Sequence, residues 1–245
     1  MMDTELFDLA VEAALRIPTS GIGTLSEKKV HAALKYYIQP DSEKHEVKVS
    51  GSVCDALSDD GVFEIQTRAF YRLKGKLEKL LKTGTVTVVY PIVSEKTLYT
   101  TNVVTGKVTV RKSPKQMKPY DVFSELYAIR SFILSENFRL RLITVGVEEH
   151  RVVKVQVSKR GRRKVETLSS EKVPTALYGD TTLSSPKDYA SFLPSGLNEQ
   201  FTSADLAALS NIHRSFASLM LHVLTDINVV ERIGKTGNSY LYKLL

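Results

Sequence analysis

The run TVTVVYPI, from Thr85 to Ile92, constrains the fold more than any other stretch of the chain. Valine and threonine branch at Cβ and suit a pleated backbone, and an uncharged run of this length reads as a buried strand. A buried strand needs partners and cover. Both are predicted upstream: strands at 45 to 49, 52 to 57 and 62 to 67, a helix at 25 to 38 and another near 69 to 82. An earlier helix follows from the spacing of Leu6, Leu9, Ala10 and Ala13. The second, LSEKKVHAALKYYI, has Ser26 as a cap and is ended by Pro40. The order helix, three strands, helix, strand is that of an α/β domain.

Within it, GSVCDALSDDGVFEIQT carries the chemistry. Ser52 to Leu57 reads as one strand, Ser58 to Gly61 as a turn and Val62 to Thr67 as the returning strand. Side chains alternate across a strand, so Glu64 and Gln66 share a face while Ile65 points away. Asp55 can then meet Glu64 across the pair. Two neighbouring carboxylates resist joint ionisation unless a cation or a proton lies between them. Magnesium accepts carboxylate and carbonyl oxygens and keeps several waters, so Asp55, Glu64 and the carbonyl of Ile65 make a half-shell for it. The alternative is a solvated hairpin whose acids face water.

With 245 residues, 42% of them hydrophobic, the chain can bury a core as one large domain or two smaller ones. No apolar run is long enough to cross a bilayer. The beginning, MMDTELFDLAVEAALRI, carries early acids unlike a secretory signal, so a cytoplasmic protein is expected. Cys54 is the only cysteine, which rules out an intramolecular disulfide or a cysteine-based zinc site and leaves packing as its role. The histidines have no zinc-like spacing. The net charge of +7 favours a polyanionic partner, nucleic acid first. Much of it gathers between His150 and Glu166, in Arg151, Lys154, Lys159, Arg160, Arg162, Arg163 and Lys164, a cluster suited to phosphates.

Further on, TLYTTNVVTGKVTVRK reads as a hairpin turning at Thr105 and Gly106, YDVFSELYAIRSFIL as a helix and FRLRLITVGVEEHRVVKVQV as strand. The region from 158 to 200 mixes basic residues with Ser, Gly and Pro and reads as a connector holding a short helix near 186 to 192. A boundary is placed near 195, giving domains 1 to 195 and 196 to 245. The second contains TSADLAALS and IHRSFASLMLHVLTDI as helices and VVERIGKTGNSYLYKLL as a hairpin around Gly234 to Asn238.

The order helix, Asp-bearing strand, Glu-x-Gln strand, helix, apolar strand resembles the PD-(D/E)XK nuclease superfamily, the restriction-endonuclease-like fold, best over residues 25 to 92. That resemblance implies a mixed central sheet flanked by helices, with Asp55 and Glu64 holding Mg2+ (or Mn2+) and Gln66 positioning the attacking water. Two residues depart from the pattern: Cys54 stands where the family has proline, and Gln66 where it has lysine. Neutral glutamine can only orient a water. Lys76, on the following helix, either supplies the missing charge, as migrated lysines do elsewhere in the superfamily, or is a solvated surface lysine. Glu27 matches the place where many relatives carry a further acid toward the metal, or it simply favours its helix N-terminus. Arg68 holds a phosphate or is a solvated strand end.

Residues from Phe201 to Leu245 resemble a winged-helix domain. The likeness implies that His213, Arg214, Ser215 and Ser218 at the start of the second helix face the major groove and that Lys235 and Asn238 approach the backbone or minor groove. Phe216, Leu219, Leu221, Leu224, Ile227, Val230, Leu241 and Tyr242 read as its core. Winged helices also serve as protein-contact modules. The combined expectation is a magnesium-dependent DNA endonuclease, with a homodimer implied because two copies commonly cut two strands. The alternatives are a catalytically inactive nucleic-acid-binding or regulatory protein on the same fold, and an interaction protein with little affinity for DNA.

Overall fold

Parallel pairing of neighbouring strands forces the chain to cross over the sheet, and two such crossovers set the layers of this protein. The computed structural model describes residues 3–17, 28–157, 161 and 163–245. Helices α1 (Thr4–Arg16) and α2 (Lys28–Ile38) lead into strands β1 (His45–Val49), β2 (Ser52–Ser58) and β3 (Gly61–Ile65). A single turn of 3-10 helix, Phe70–Leu73, runs into α3 (Lys74–Leu80), and β4 (Val86–Asn102) follows. Next come β5 (Val108–Lys112), α4 (Phe123–Ile129), β6 (Phe138–Val157) and β7 (Arg163–Leu183).

The sheet has the order β1-β2-β3-β4-β6-β7, with β5 on the outer half of β4. Pairing is parallel for β3 with β4 and for β4 with β6, and antiparallel elsewhere. This is an α/β architecture with a mixed sheet flanked by helices. Both crossovers step across the sheet in the same direction, so a common handedness puts α3 and α4 on one face. There Leu77, Leu80, Phe123, Leu126 and Ile129 pack against Val86, Val88, Tyr90, Phe138 and Leu140. On the other face Phe7, Ala10, Val30 and Leu34 of α1 and α2 cover Phe63, Ile65, Val89, Ile143 and Val145. Val88 and Val89 belong to opposite cores, which is why the run around them is apolar without alternation.

Strands β8 (Gln200–Thr202), β9 (Val230–Thr236) and β10 (Ser239–Leu244) form a second sheet, order β8-β10-β9, beside α5 (Ser203–Ser210) and α6 (Arg214–Asp226). Leu206, Met220, Leu221, Leu224, Val230 and Tyr242 continue the core that α3 and α4 begin. At the surface, Arg130 beside α4 pairs with Asp226 of α6 and lies 4.4 Å over the ring of Tyr127.

Two sequence expectations give way here. Residues 163 to 183, expected as part of a connector, form β7, paired with β6 from Leu183 to Arg163. Register shifts after Thr144, Gly146 and Val152 and a proline at 174 interrupt its alternation, and an edge strand held mainly by backbone bonds needs little apolar signature. Likewise the expected strand at 85 to 92 and the following hairpin arm are one strand, β4, bent where its register shifts between Val93 and Glu95.

The outer face is locked by buried polar groups. Arg141 of β6 makes a two-pronged bond to Asp180 of β7, at 2.8 and 2.6 Å, and the Tyr37 hydroxyl of α2 donates to the same carboxylate at 2.9 Å. Lys29, only 5% exposed, donates to the carbonyls of Ala14, Leu15 and Ile17 at 3.0, 3.2 and 3.0 Å. It thereby satisfies the end of α1, where carbonyls lack helical partners and the helix dipole is negative. Lys29→Met removes all three of these bonds, one of them buried and two part-buried, and is expected to cost about 2 kcal/mol, read as a lower urea midpoint with unchanged slope.

Candidate active site at the end of β3

Asp55 sits where two strand ladders break together. The β2–β3 register pairs Ala56 with Phe63 and stops there, one step before Asp55 and Glu64 would face each other. On the other side the β1–β2 ladder pairs Ala56 with His45 and Cys54 with Val47, passing over Asp55 and its opposite residue, Glu46. Glu46 has φ of 54°, a left-handed conformation that interrupts the strand without shifting its register. The irregularity resets the alternation, so Cys54 packs in one core and Ala56 in the other. In place of the lost ladder bond, the Asp55 carboxylate accepts the backbone amide of Ile65 through Oδ2 at 2.7 Å. A side chain thus pins the ends of β2 and β3 at the point where they separate.

The separation opens a cleft of about 530 Å3. His31 of α2 borders it from one layer and Lys76 of α3 from the other, with Asp55, Glu64 and Gln66 between them and Arg68 and Arg72 along one wall. Expected neighbours are therefore brought together: Asp55, Glu64, Ile65, Gln66, Arg68 and Lys76 all line it. His31 Nε2 lies 3.3 Å from Asp55 Oδ2, and Lys76 Nζ lies 2.5 Å from Glu64 Oε1. The second contact is an ion pair whose angles are not those of a hydrogen bond, so the buried Oε1 has no hydrogen-bond partner among the described residues.

The environments of the two acids differ. Burial pushes the Asp55 carboxyl up, but the hydrogen bond and charge of His31 and the Ile65 amide outweigh it and hold the group below the usual aspartate range. Glu64 is 4% exposed, and burial, reinforced by the nearby Asp55 charge, carries it above the usual glutamate range despite Lys76. Cys54 is buried beside this group, its thiol pushed up to about 11 by burial and then by the Glu64 charge. Such a thiol is no nucleophile at neutral pH, in keeping with a packing role.

Gln66 lies one residue past the end of β3, and its side-chain nitrogen donates to the Arg68 carbonyl at 2.6 Å. That amide is occupied in shaping its own loop. The loop continues through Ala69, held at φ of 60°, a left-handed conformation costing a non-glycine residue about 1 kcal/mol. The buried Phe70 side chain and the bond from its amide to Glu125 at 3.1 Å keep it there.

Glu27, Arg160 and Arg162 lie outside the described residues, as does the side chain of Arg163, whose backbone begins β7. His213, Arg214, Ser215, Ser218 and Lys235 line no part of the acid cleft. His213 caps α6 by accepting from the amide of Ser215, and Ser218 bonds the Arg214 carbonyl at 3.0 Å. Arg214 donates to Ser239 at 2.7 Å, joining α6 to the hairpin, while Lys235 stands 4.9 Å over the Tyr240 ring. The residues that sequence reasoning passed over are His31 and Arg72. For His31 a signal was present: it lies four residues after Glu27 in the helix read from Leu25, hence on the same helical face.

All the described site residues fall inside one recognised unit. A family model described as a domain of unknown function (DUF8091) matches residues 28–184, from the start of α2 to just past β7. The chain belongs to this family. An "Uncharacterized protein" of Treponema pallidum (strain Nichols) is 30% identical over 225 residues, covering 91% of this chain and 87% of the relative, so that likeness runs beyond the family span. No solved structure matches the chain.

Opposed carboxyl shifts have a testable sign. In carboxyl-detected NMR titrations Asp55 is expected to titrate below, and Glu64 above, the ordinary range of its residue type. Asp55 stabilises the fold above its unfolded pKa and loses that contribution as pH falls through the lower folded one. Glu64 contributes most below its unfolded pKa and loses it as pH rises through the higher folded one. Lys76→Met strands the buried carboxylate and is expected to cost about 3 kcal/mol at neutral pH, less in acid, by urea unfolding at both pH values.

Proposed function

We propose that the cleft is the active site of a metal-dependent DNA endonuclease of the PD-(D/E)XK type, with Asp55 and Glu64 as the metal-holding pair. One observation carries the reading: two acids from adjacent strands face one open cleft at the carboxyl end of β3, between His31 of one helical layer and Lys76 of the other. Ligands of α/β sheets collect at such strand ends. The order α2, β1, β2, β3, α3, β4, with β3 parallel to β4, supports the resemblance read from the sequence.

The donor set fits a small hard cation. Among the described residues no group of three or more His, Cys, Asp and Glu side chains is gathered for a metal. Magnesium asks less: one or two carboxylates and room for waters suffice, and Glu64 Oε1 is a buried oxygen lacking a hydrogen bond. Asp55, Glu64 and the Ile65 carbonyl would hold Mg2+ (or Mn2+), which when bound lowers the pKa of water and offsets charge on a phosphate. The remaining tasks fall to the chain. Lys76, already beside Glu64, supplies the positive charge that Gln66 cannot, and Gln66 shapes the wall through Arg68 instead of holding a water. Arg68 and Arg72 give the wall the charge to seat a phosphate.

The strand, two helices and hairpin from Gln200 onward support the winged-helix reading, with duplex DNA as the ligand. Arg232 and Lys235 lie on the hairpin over Tyr240, at 4.3 and 4.9 Å from its ring, and present charge at its surface.

A second reading has an observation of its own. His31 and Lys76 already pair with the two acids, which is the arrangement of a nuclease-like protein that binds nucleic acid without cutting it. Incubation with plasmid, linear and single-stranded DNA plus magnesium or manganese separates the two. The hydrolytic reading expects nicking or cleavage that chelation abolishes and that Glu64→Gln lowers by about a hundredfold or more, the scale of removing one positioned group from an active site. Equal cleavage by both proteins removes this site from consideration. DNA binding with neither metal uptake nor cleavage establishes the second reading.

A further inference from the structure

Beside the acids, the wall formed by residues 66 to 72 offers a feature that phosphate chemistry alone does not require. Arg72 lines the cleft, while Tyr71, its neighbour in the 3-10 turn, is 57% exposed. The two side chains lie against each other: Arg72 Nε donates to the Tyr71 hydroxyl at 3.3 Å, and the guanidinium carbon stands 5.8 Å from the ring centroid. An exposed aromatic ring is thereby held next to a cation of the cleft wall. The platform is anchored, since the residues on either side of the pair, Phe70 and Leu73, are buried in the core that α3 and α4 share.

We infer that the cleft takes an unpaired nucleic-acid strand, with one phosphate on Arg72 and the adjoining base stacked on Tyr71. The inference deepens the nuclease reading, on which it rests, by naming the substrate class. A phosphate seated on Arg72 brings its own nucleotide within reach of the neighbouring ring. In a duplex that base is paired and stacked on its neighbours, and its faces are closed to a side chain. In a single strand, overhang or frayed end the face is open, and stacking on an aromatic residue beside a basic groove is the general means of holding such strands without reading sequence. Arg68 on the same wall extends the basic groove along the strand. The aromatic ring sets apart the two kinds of DNA contact in the molecule: the hairpin and α6 for duplex, the cleft for the unpaired strand.

The experiment compares wild type, Tyr71→Ala and Tyr71→Phe, each checked by thermal melting, for binding of a fluorescently labelled oligothymidylate and of a mixed-sequence duplex of equal length. It is run at low salt in chelator, so that metal and cleavage play no part. Tyr71→Ala is expected to weaken single-strand binding about tenfold, Tyr71→Phe less than about threefold, and duplex binding is expected to stay within about twofold for both. Single-strand affinity unchanged in Tyr71→Ala, or equal losses on both ligands, overturns the inference. Absence of all binding by the wild type overturns it together with the DNA reading. Metal-dependent cleavage of duplex at a rate indifferent to Tyr71 overturns only the inference and leaves the nuclease standing. Tyr71-dependent single-strand binding without any cleavage under magnesium supports the platform and removes the hydrolytic step.

Discussion

The parallel pairing of β4 with β3 on one side and β6 on the other is the constraint on which the rest of the molecule depends. Parallel neighbours cannot be joined by a tight turn, so the chain must leave the sheet at the carboxyl end of β3 and return at the far end. That departure creates the wall of residues 66 to 72, and it places α3, with Lys76, over the face to which Glu64 belongs. The helices before β1 cover the opposite face and bring His31 to the same edge. The site is therefore a consequence of topology: the one edge at which β2 and β3 diverge is also the edge that both helical layers overhang.

Electrostatics make this edge unlike an ordinary turn rich in acids. Surface carboxylates near a cation titrate close to their usual values and contribute little. Here burial acts on both acids, yet the partners differ, so one carboxyl is held below its usual range and the other above it. Pairs whose environments push their titrations apart are a common mark of acid–base and metal sites, although structural ion pairs produce shifts too. Glu149 shows the structural case. It is buried between Lys96, Arg151 and Ser170 and held down at about 2 by those three partners against the effect of burial, and it lines no part of the acid cleft. What distinguishes Asp55 and Glu64 is that their cluster opens onto a cleft.

Legibility followed physical scale. The helix, hairpin, helix, strand order over residues 28 to 92 was readable because each element carries its own periodicity and its own stop signals. That Asp55 and Glu64 come to one side of the hairpin was readable too, since a short turn leaves a hairpin few registers to choose from, although the ladder stops one step before they would pair. Strand β7 was not, because a long edge strand with polar side chains and several register shifts is specified by the partner it lies against. Gln66 was read as part of β3, but β3 ends at Ile65, and the Gln66 side-chain nitrogen donates to the Arg68 carbonyl of the following loop. His31 was missed because its partner, Asp55, lies on a strand from another part of the chain, and its place on the helical face of Glu27 marks a direction but not that partner.

Taken alone, the sequence determined the elements from the first helices to the apolar strand at the centre, their order, and the type of side chain available to the site. These follow from forces between residues close along the chain: backbone preference, turn chemistry and the period of apolar side chains. The tertiary structure alone decided which side chains answer which acid, in which direction each carboxyl moves from its usual titration, and that Tyr71 lies against Arg72 of the cleft wall. Those outcomes depend on burial and on contacts between distant segments, and neither exists until the sheet has closed around its two layers of helices.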